Sequence, residues 1–241
     1  DLIDIGGEST RPGARPVALS EELRRILPVV ERLARSVRIP LSIDTAKADV
    51  ARRALEAGAS IVNDVSALRD DPQMAAVVAR AGAAVILMHR RGTPQTMQRR
   101  PSYRDVVGEV AAFLSRMAQR LVRVGIAPER ILIDPGLGFG KSLRHNLKLM
   151  GALSTFTALG YPVVVGPSRK SFIGRTLKAE VEDRLAGTLA CVVQAWWQGV
   201  QVVRVHDVQP TVHLLRMLNA VQAASSAASP LRGEHLTGAI R

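Results

Sequence analysis

Short β-branched runs alternate with longer amphipathic stretches along most of the chain. The runs are LIDIGG (2–7), LSIDT (41–45), SIVNDV (60–65), AVILMH (84–89), ILIDPG (131–136), PVVVGPSR (162–169) and QVVRVHD (201–207). Each opens as a near-continuous apolar stretch, the pattern of strands buried on both faces of a parallel sheet. Between them, SEELRRILPVVERLARS (20–36) and KADVARRALEAG (47–58) carry apolar residues at helical spacing, and Gly58 supplies a helix stop. The repeating unit predicts successive βαβ crossovers.

Every run also ends alike. Asp4, Asp44, Asn63, His89, Asp134, Arg169 and Arg204 stand at or near the C-terminal ends of the runs. A (β/α)8 TIM barrel collects its active-site groups there, from all its strands. A doubly wound open sheet uses only the strands around its switch point. The pattern therefore predicts an α/β barrel. Only seven runs are found, so the eighth βα unit, the first of the barrel, is expected upstream of Asp1, as in an N-terminally truncated sequence. Residues 1–222 are expected to form one barrel domain, and the Ala/Ser-rich segment 223–241 a flexible tail.

Composition narrows the function. The chain has 241 residues and one cysteine, Cys191, which excludes an intramolecular disulfide and a Cys-based zinc site. Aromatic residues are 3%, too few for a base-stacking platform. The net charge is +12, and of the 33 basic residues 28 are Arg and 5 Lys. They are scattered over predicted helices, as on solvated faces, so a specific nucleic-acid partner is not expected. Anionic small molecules would still be attracted. No apolar run of membrane-spanning length and no signal peptide is found, and a cytoplasmic protein is expected.

The loops after the strands carry the candidate chemistry. GGESTRPGA (6–14) has the glycines and small hydroxyls of a lid, with Thr10 and Arg11 as its substrate-handling groups. SIDT (42–45) and NDVSA (63–67) put Asp44 and Asn63 at neighbouring strand ends, where they could read a heterocycle or cap the following helices. In LMHRRGTPQTMQ (87–98), His89 reads as a ligand or, more simply, a satisfied structural residue. Arg90 and Arg91 have no assignable target. DPGLGFGKS (134–142) approaches a P-loop, but Pro135 stands where its first glycine should be. Its glycines are expected to let backbone approach a ligand, with Asp134 at the strand tip and Phe139 presenting an apolar face. GPSRKSFIG (166–174) sets Arg169, Lys170 and Ser171 in a row. In VRVHD (203–207), Arg204 and His206 are two apart, on one side of a strand, and form an anion site with the neighbouring basic cluster.

Together GGESTRPGA, SIDT, NDVSA, MHxxGTPQTMQ, DPGLGFGK, GPSRKSFIG and RVHDV, in this order, resemble the dihydropteroate synthase family over about residues 2–218. The resemblance implies an (β/α)8 barrel, usually a homodimer. Its reaction joins 4-aminobenzoate to 6-hydroxymethyl-7,8-dihydropterin diphosphate, releasing pyrophosphate in folate biosynthesis. It implies a pterin pocket of Asp44, Asn63, Asp134, Lys170 and Arg204. It places the diphosphate on Arg204 and His206 with Thr10 and Arg11. It places the aminobenzoate near Thr10, Arg11, Pro12, Phe139 and Ser171. Asp44, Lys170, Arg204 and His206 are the implied catalytic group. Mg2+ is the implied cofactor, held in the family by an Asn of an Asn-Val-Thr-Pro-Asp-Ser-Phe segment. That segment is not found here, so no metal ligand is named. A pterin-binding methyltransferase domain would share Asp44 and Asn63 without needing GGESTRPG or the SRK run. A non-catalytic pterin-binding paralogue or fragment is the other competing expectation.

Overall fold

Parallel strands alternate with helices from Ile3 onward in a computed structural model that describes residues 1–227. β1 (Ile3–Gly6), β2 (Leu41–Asp44), β3 (Ile61–Asp64), β4 (Ala84–Met88) and β5 (Ile131–Asp134) form one parallel sheet in chain order. β6 (Val164–Val165) pairs with β7 (Val202–Val203), and a bridge from Ile133 to Val163 joins this pair to β5. The seven predicted strands are thus the seven found among the described residues. No ladder joins β1 to β7 there, but Arg204, just past β7, donates to the Asp4 carboxylate on β1.

The last two strands are shorter than their apolar runs. Pro162 and Pro167 bracket β6 and have no N–H for a ladder. β7 stops because the chain turns away after Arg204 N donates to Val165 O, and His206 N then finds the Ser168 hydroxyl.

The helices cover the outside of the sheet. α1 (Leu19–Ser36) buries Ile26 and Val30, one turn apart. α2 (Ala48–Glu56) and α3 (Met74–Ala81) follow β2 and β3, and α4 (Val106–Arg123) packs Val110, Leu114 and Leu121 inward. α5 (Leu143–Gly151) and α6 (Leu153–Thr157) bury Leu149, Leu153 and Phe156. All four residues of β2 are buried, as expected for a strand covered on both faces. Truncating a fully buried side chain such as Leu87 or Ile133 costs about 2–5 kcal/mol.

α7 (Ser171–Leu177), α8 (Leu185–Trp197) and α9 (Val208–Ala227) complete the described chain. Residues 223–227 continue α9 instead of opening a tail, because Ala and Ser there extend the helix without a breaker. The rest of the expected tail, 228–241, lies outside the described residues. No described helix is long and apolar enough to cross a membrane.

Candidate active site

Register brings the strand tips together. Gly6 pairs with Asp44, Asp44 with Asn63, and Met88 with Asp134. The cap alternative for Asp44 and Asn63 does not hold. α2 starts after Lys47, with Ala48 N bonded to Asp71 Oδ2 at 2.8 Å. Asp64 shapes the turn after β3, accepting from Ser66 N at 2.6 Å and Leu68 N at 3.1 Å. Asp44 and Asn63, both largely buried, are left free of helix capping at neighbouring strand tips.

Their organiser is a residue the motif reading did not place in the site. Asp4 Oδ2 accepts from Asn63 Nδ2 at 3.2 Å and from Arg204 Nε at 2.7 Å. Arg204 Nη2 also lies 3.9 Å from Asp44 Oδ2. The signal was present, since Asp4 is the polar residue in an apolar strand. The buried Oδ1 atoms of Asp4 and Asp44 have no hydrogen-bond partner. Two buried acceptors without donors suit a ligand that brings N–H groups. Burial pushes Asp44 up to about 8, the Asp4 charge pushes the same way, and Arg204 opposes both.

Asp134 and Lys170 build the opposite wall. Asp134 Oδ1 accepts from Gly136 N at 2.6 Å. Burial raises its pKa, and the Lys170 charge opposes the rise. Burial brings Lys170 down to about 8 against the pull of Asp134. The Lys170 ammonium donates to Leu137 O and stands 5.0 Å from the Phe139 ring centroid. Gly166 lies between Arg204 and Lys170: a Cβ there would make ordinary contact with Arg204 Cβ at 3.7 Å and Lys170 Nζ at 3.9 Å.

Two glycines of DPGLGFGKS, Gly136 and Gly140, serve loop packing, while Gly138 lies against the Lys170 side chain. Gly136 and Gly140 have positive φ, and a Cβ there would stand 2.0 Å from His89 O and 2.4 Å from Arg91 O. The close approach they permit is between the β5 and β4 loops. Lys141 fastens it, donating to His89 O at 3.1 Å and Phe139 O at 3.0 Å. Its Nζ also meets His89 Nδ1 at 2.9 Å. His89 is buried, and burial with nearby cations drops it to about 2, so it is a satisfied structural residue.

Arg204 and His206 do not share one side of a strand, contrary to expectation. β7 ends before both, so the period of two does not apply. Arg204 turns to Asp4, while His206 Nδ1 meets Ser168 Oγ at 2.9 Å. They nevertheless share one field. Burial, Arg169, Arg204 and Arg11 lower the pKa of His206. Arg169 is spoken for by Asp207, with bonds of 3.0 and 2.6 Å. Arg204 is likewise paired, with Asp4, and no ion pair of Arg11 is found among the described residues.

Thr10 and Pro12 flank Arg11 on the β1–α1 loop, whose base is held by buried charge. Glu22, fully buried, accepts from Thr45 Oγ1 at 2.7 Å, and Lys47 donates to both Glu22 and Glu8. Gly7 packs where a Cβ would come within 2.8 Å of Ile26 Cγ2. The far side of the loop is tied to the β4–α4 loop by Gly13 N to Pro94 O at 2.9 Å. Ser171 opens α7 directly after Lys170. Among the described residues no three His, Cys, Asp or Glu side chains gather as a metal site would require.

The pattern of pterin binding enzymes matches residues 1–206. The chain belongs to this family. Within it the chain is 45% identical to the dihydropteroate synthase of Synechocystis sp., over 91% of this chain and 76% of that protein. It is also 45% identical to that of Escherichia coli, over 92% and 79%. Among solved structures it resembles the Yersinia pestis dihydropteroate synthase, crystallised in a sulfonamide drug complex, with a TM-score of 0.89, 44% identity and coverage of 92% and 80%. The Xanthomonas albilineans enzyme with 4-aminobenzoic acid gives 0.88, 47%, 92% and 80%. The pterin binding enzyme fold and the transferase activity of the dihydropteroate synthases are those of this chain.

Proposed function

We propose that the cleft between Asp4, Asp44, Asn63, Asp134, Lys170 and Arg204 binds the dihydropterin diphosphate, and that 4-aminobenzoate attacks it under the β1–α1 loop. One observation carries this reading: buried Asp4 and Asp44 present unpaired carboxylate oxygens beside a cation, Arg204, that can also face a diphosphate. Asp134 accepts from the 2-amino group and ring N–H of the pterin. Asn63 and Lys170 meet the remaining edge, including the 4-oxo group and N5. Arg204 and His206, with Thr10 and Arg11, hold the diphosphate. Thr10, Arg11, Pro12, Phe139 and Ser171 flank the aminobenzoate, with Ser171 toward its carboxylate.

The reaction breaks the C–O bond to the diphosphate and forms a C–N bond to the aromatic amine, which then releases one proton. Charge grows on the departing oxygens, where Arg204 and His206 stabilise it. The electron-rich dihydropterin delocalises the positive charge left on the methylene, and Asp44 offsets it once deprotonated. The amine is a weak base, so no strong general base is needed. The loop held by Glu8, Lys47 and Glu22 excludes competing water.

Mg2+, were it bound, would supply positive charge to the substrate diphosphate. It commonly binds through substrate phosphates and few carboxylates. The described residues do not themselves fit a Mg2+ cage, and no step is assigned to it. A homodimer is part of the same reading. We place the enzyme in the cytoplasm. The deciding assay is pyrophosphate release that requires both substrates. Release with the pterin alone would make the chain a hydrolase and overturn the reading.

A further inference from the structure

The pair Arg90–Arg91, which the pterin reading leaves without a task, opens onto a second cavity. It has a volume of about 400 Å³ and lies between the β3–α3 loop, the β4–α4 loop and the first half of α4. Four arginines line it, Arg69, Arg90, Arg91 and Arg116, against one carboxylate, Glu109. None of them belongs to the pterin cleft.

Three of the four arginines are held in place, and the carboxylates beside them do not balance the four charges. Buried Arg90 alone has a full partner, Asp70, at 2.9 and 2.7 Å. Arg69 lies with its guanidinium carbon 4.9 Å from the Phe113 ring centroid, and its donors go to neutral carbonyls, Ser66 O at 2.7 Å and Arg90 O at 2.9 Å. Arg91 lies 4.7 Å from the Tyr103 ring centroid and donates to Ser102 O. It also forms a long ion pair, 3.5 Å, with Glu109 Oε2, whose other oxygen accepts from Arg104 N and Asp105 N. Arg116 has no ion pair among the described residues. The stacked rings and carbonyls fix the side chains before any ligand arrives, which lowers the entropy cost of binding. Cations of one sign around a concave site focus their field on the space between them.

We propose that this cavity is an oxyanion site, separate from the pterin cleft, that takes a phosphate-bearing small molecule. Planar guanidinium groups match phosphate oxygens in pairs, and the cavity has room for more than one phosphate. The same field lowers the pKa of Arg69, through Arg90 as well as burial, and an anion would relieve it. Inorganic pyrophosphate and a nucleoside monophosphate share this chemistry.

The test is calorimetry on the full chain at about 150 mM salt, where diffuse surface attraction is screened. Pyrophosphate and AMP are titrated in parallel into the parent, Arg91→Ala/Arg116→Ala and Arg120→Ala/Arg123→Ala. The second double variant removes the same charge from exposed positions of α4 outside the cavity. The cavity variant should bind at least one of the two ligands about tenfold more weakly or worse, and the control less than twofold. Both double variants carry the intact cleft, and unchanged thermal unfolding checks the fold. Arg204→Ala separates the two sites: pyrophosphate bound in the cavity survives that change. Which ligand binds names the source. Binding of neither ligand, equal weakening in both double variants, or loss of all binding with Arg204→Ala would overturn the proposal. None of these results depends on turnover, so they leave the cleft reading standing.

Discussion

The Asp4 carboxylate and the Arg204 guanidinium meet at 2.7 Å although 200 positions separate them in sequence. The contact joins the end of β7 to β1, and Asn63 shares the same carboxylate oxygen. Asp4 thus fixes the guanidinium that also approaches Asp44, at 3.9 Å, and that we propose binds the diphosphate.

Asp4→Ala frees that guanidinium. A hydrogen bond to a charged group contributes about 1.5–3 kcal/mol. Arg204 is half exposed, so water takes up part of the loss, and the lower end applies. Steady-state kinetics should show kcat/KM reduced roughly tenfold, since about 1.4 kcal/mol corresponds to that factor. A variant with parental kinetics would remove Asp4 from the machinery.

Asp134→Ala should weaken a pterin analogue about 5- to 150-fold, because leaving buried donors unpaired costs roughly 1–3 kcal/mol. Calorimetry measures this directly. Unchanged affinity would take Asp134 out of the pocket.

Burial raises Asp44 from 3.8 to about 8. Between these values the folded chain keeps a proton that the unfolded chain has lost. Stability attributable to this group is therefore present at low pH and is lost as pH rises through the window. Asp44→Asn removes the titration. The unfolding free energy of the variant minus that of the parent should grow from about pH 4 to about pH 8, read by urea denaturation. A flat difference would contradict the assignment.

Burial lowers Lys170 to about 8, so its charge is present below that pH and lost above it. Affinity for a pterin analogue should decline as pH rises through about 8. Lys170→Met should bind more weakly and lose this step, and comparing the two profiles subtracts the ligand's own titration. Superimposable profiles would exclude the lysine.

Glu22→Gln should loosen the base of the β1–α1 loop by weakening its bond with Lys47. The expected result is a several-fold higher KM for 4-aminobenzoate with little change for the pterin. An equal rise for both substrates would indicate a general loss of structure.

Much of the site was legible in the sequence. Apolar runs ending in Asp44, Asn63 and Asp134 mark strand tips, because strand burial is encoded residue by residue and polar groups survive only where the sheet opens. The run GPSRKS likewise exposed Lys170, since glycine and proline end a strand locally. What Asp4 does was not legible, because its partners come from β3 and the end of β7. Nor were the turn of Arg204 away from His206 and the docking of Gly136 and Gly140 on the β4 loop. The cavity lined by Arg69, Arg91 and Arg116 is of the same kind. Local pattern determines which residues reach the rim of the barrel. Their partners depend on strand register and loop packing, which bring together positions that no short-range periodicity relates.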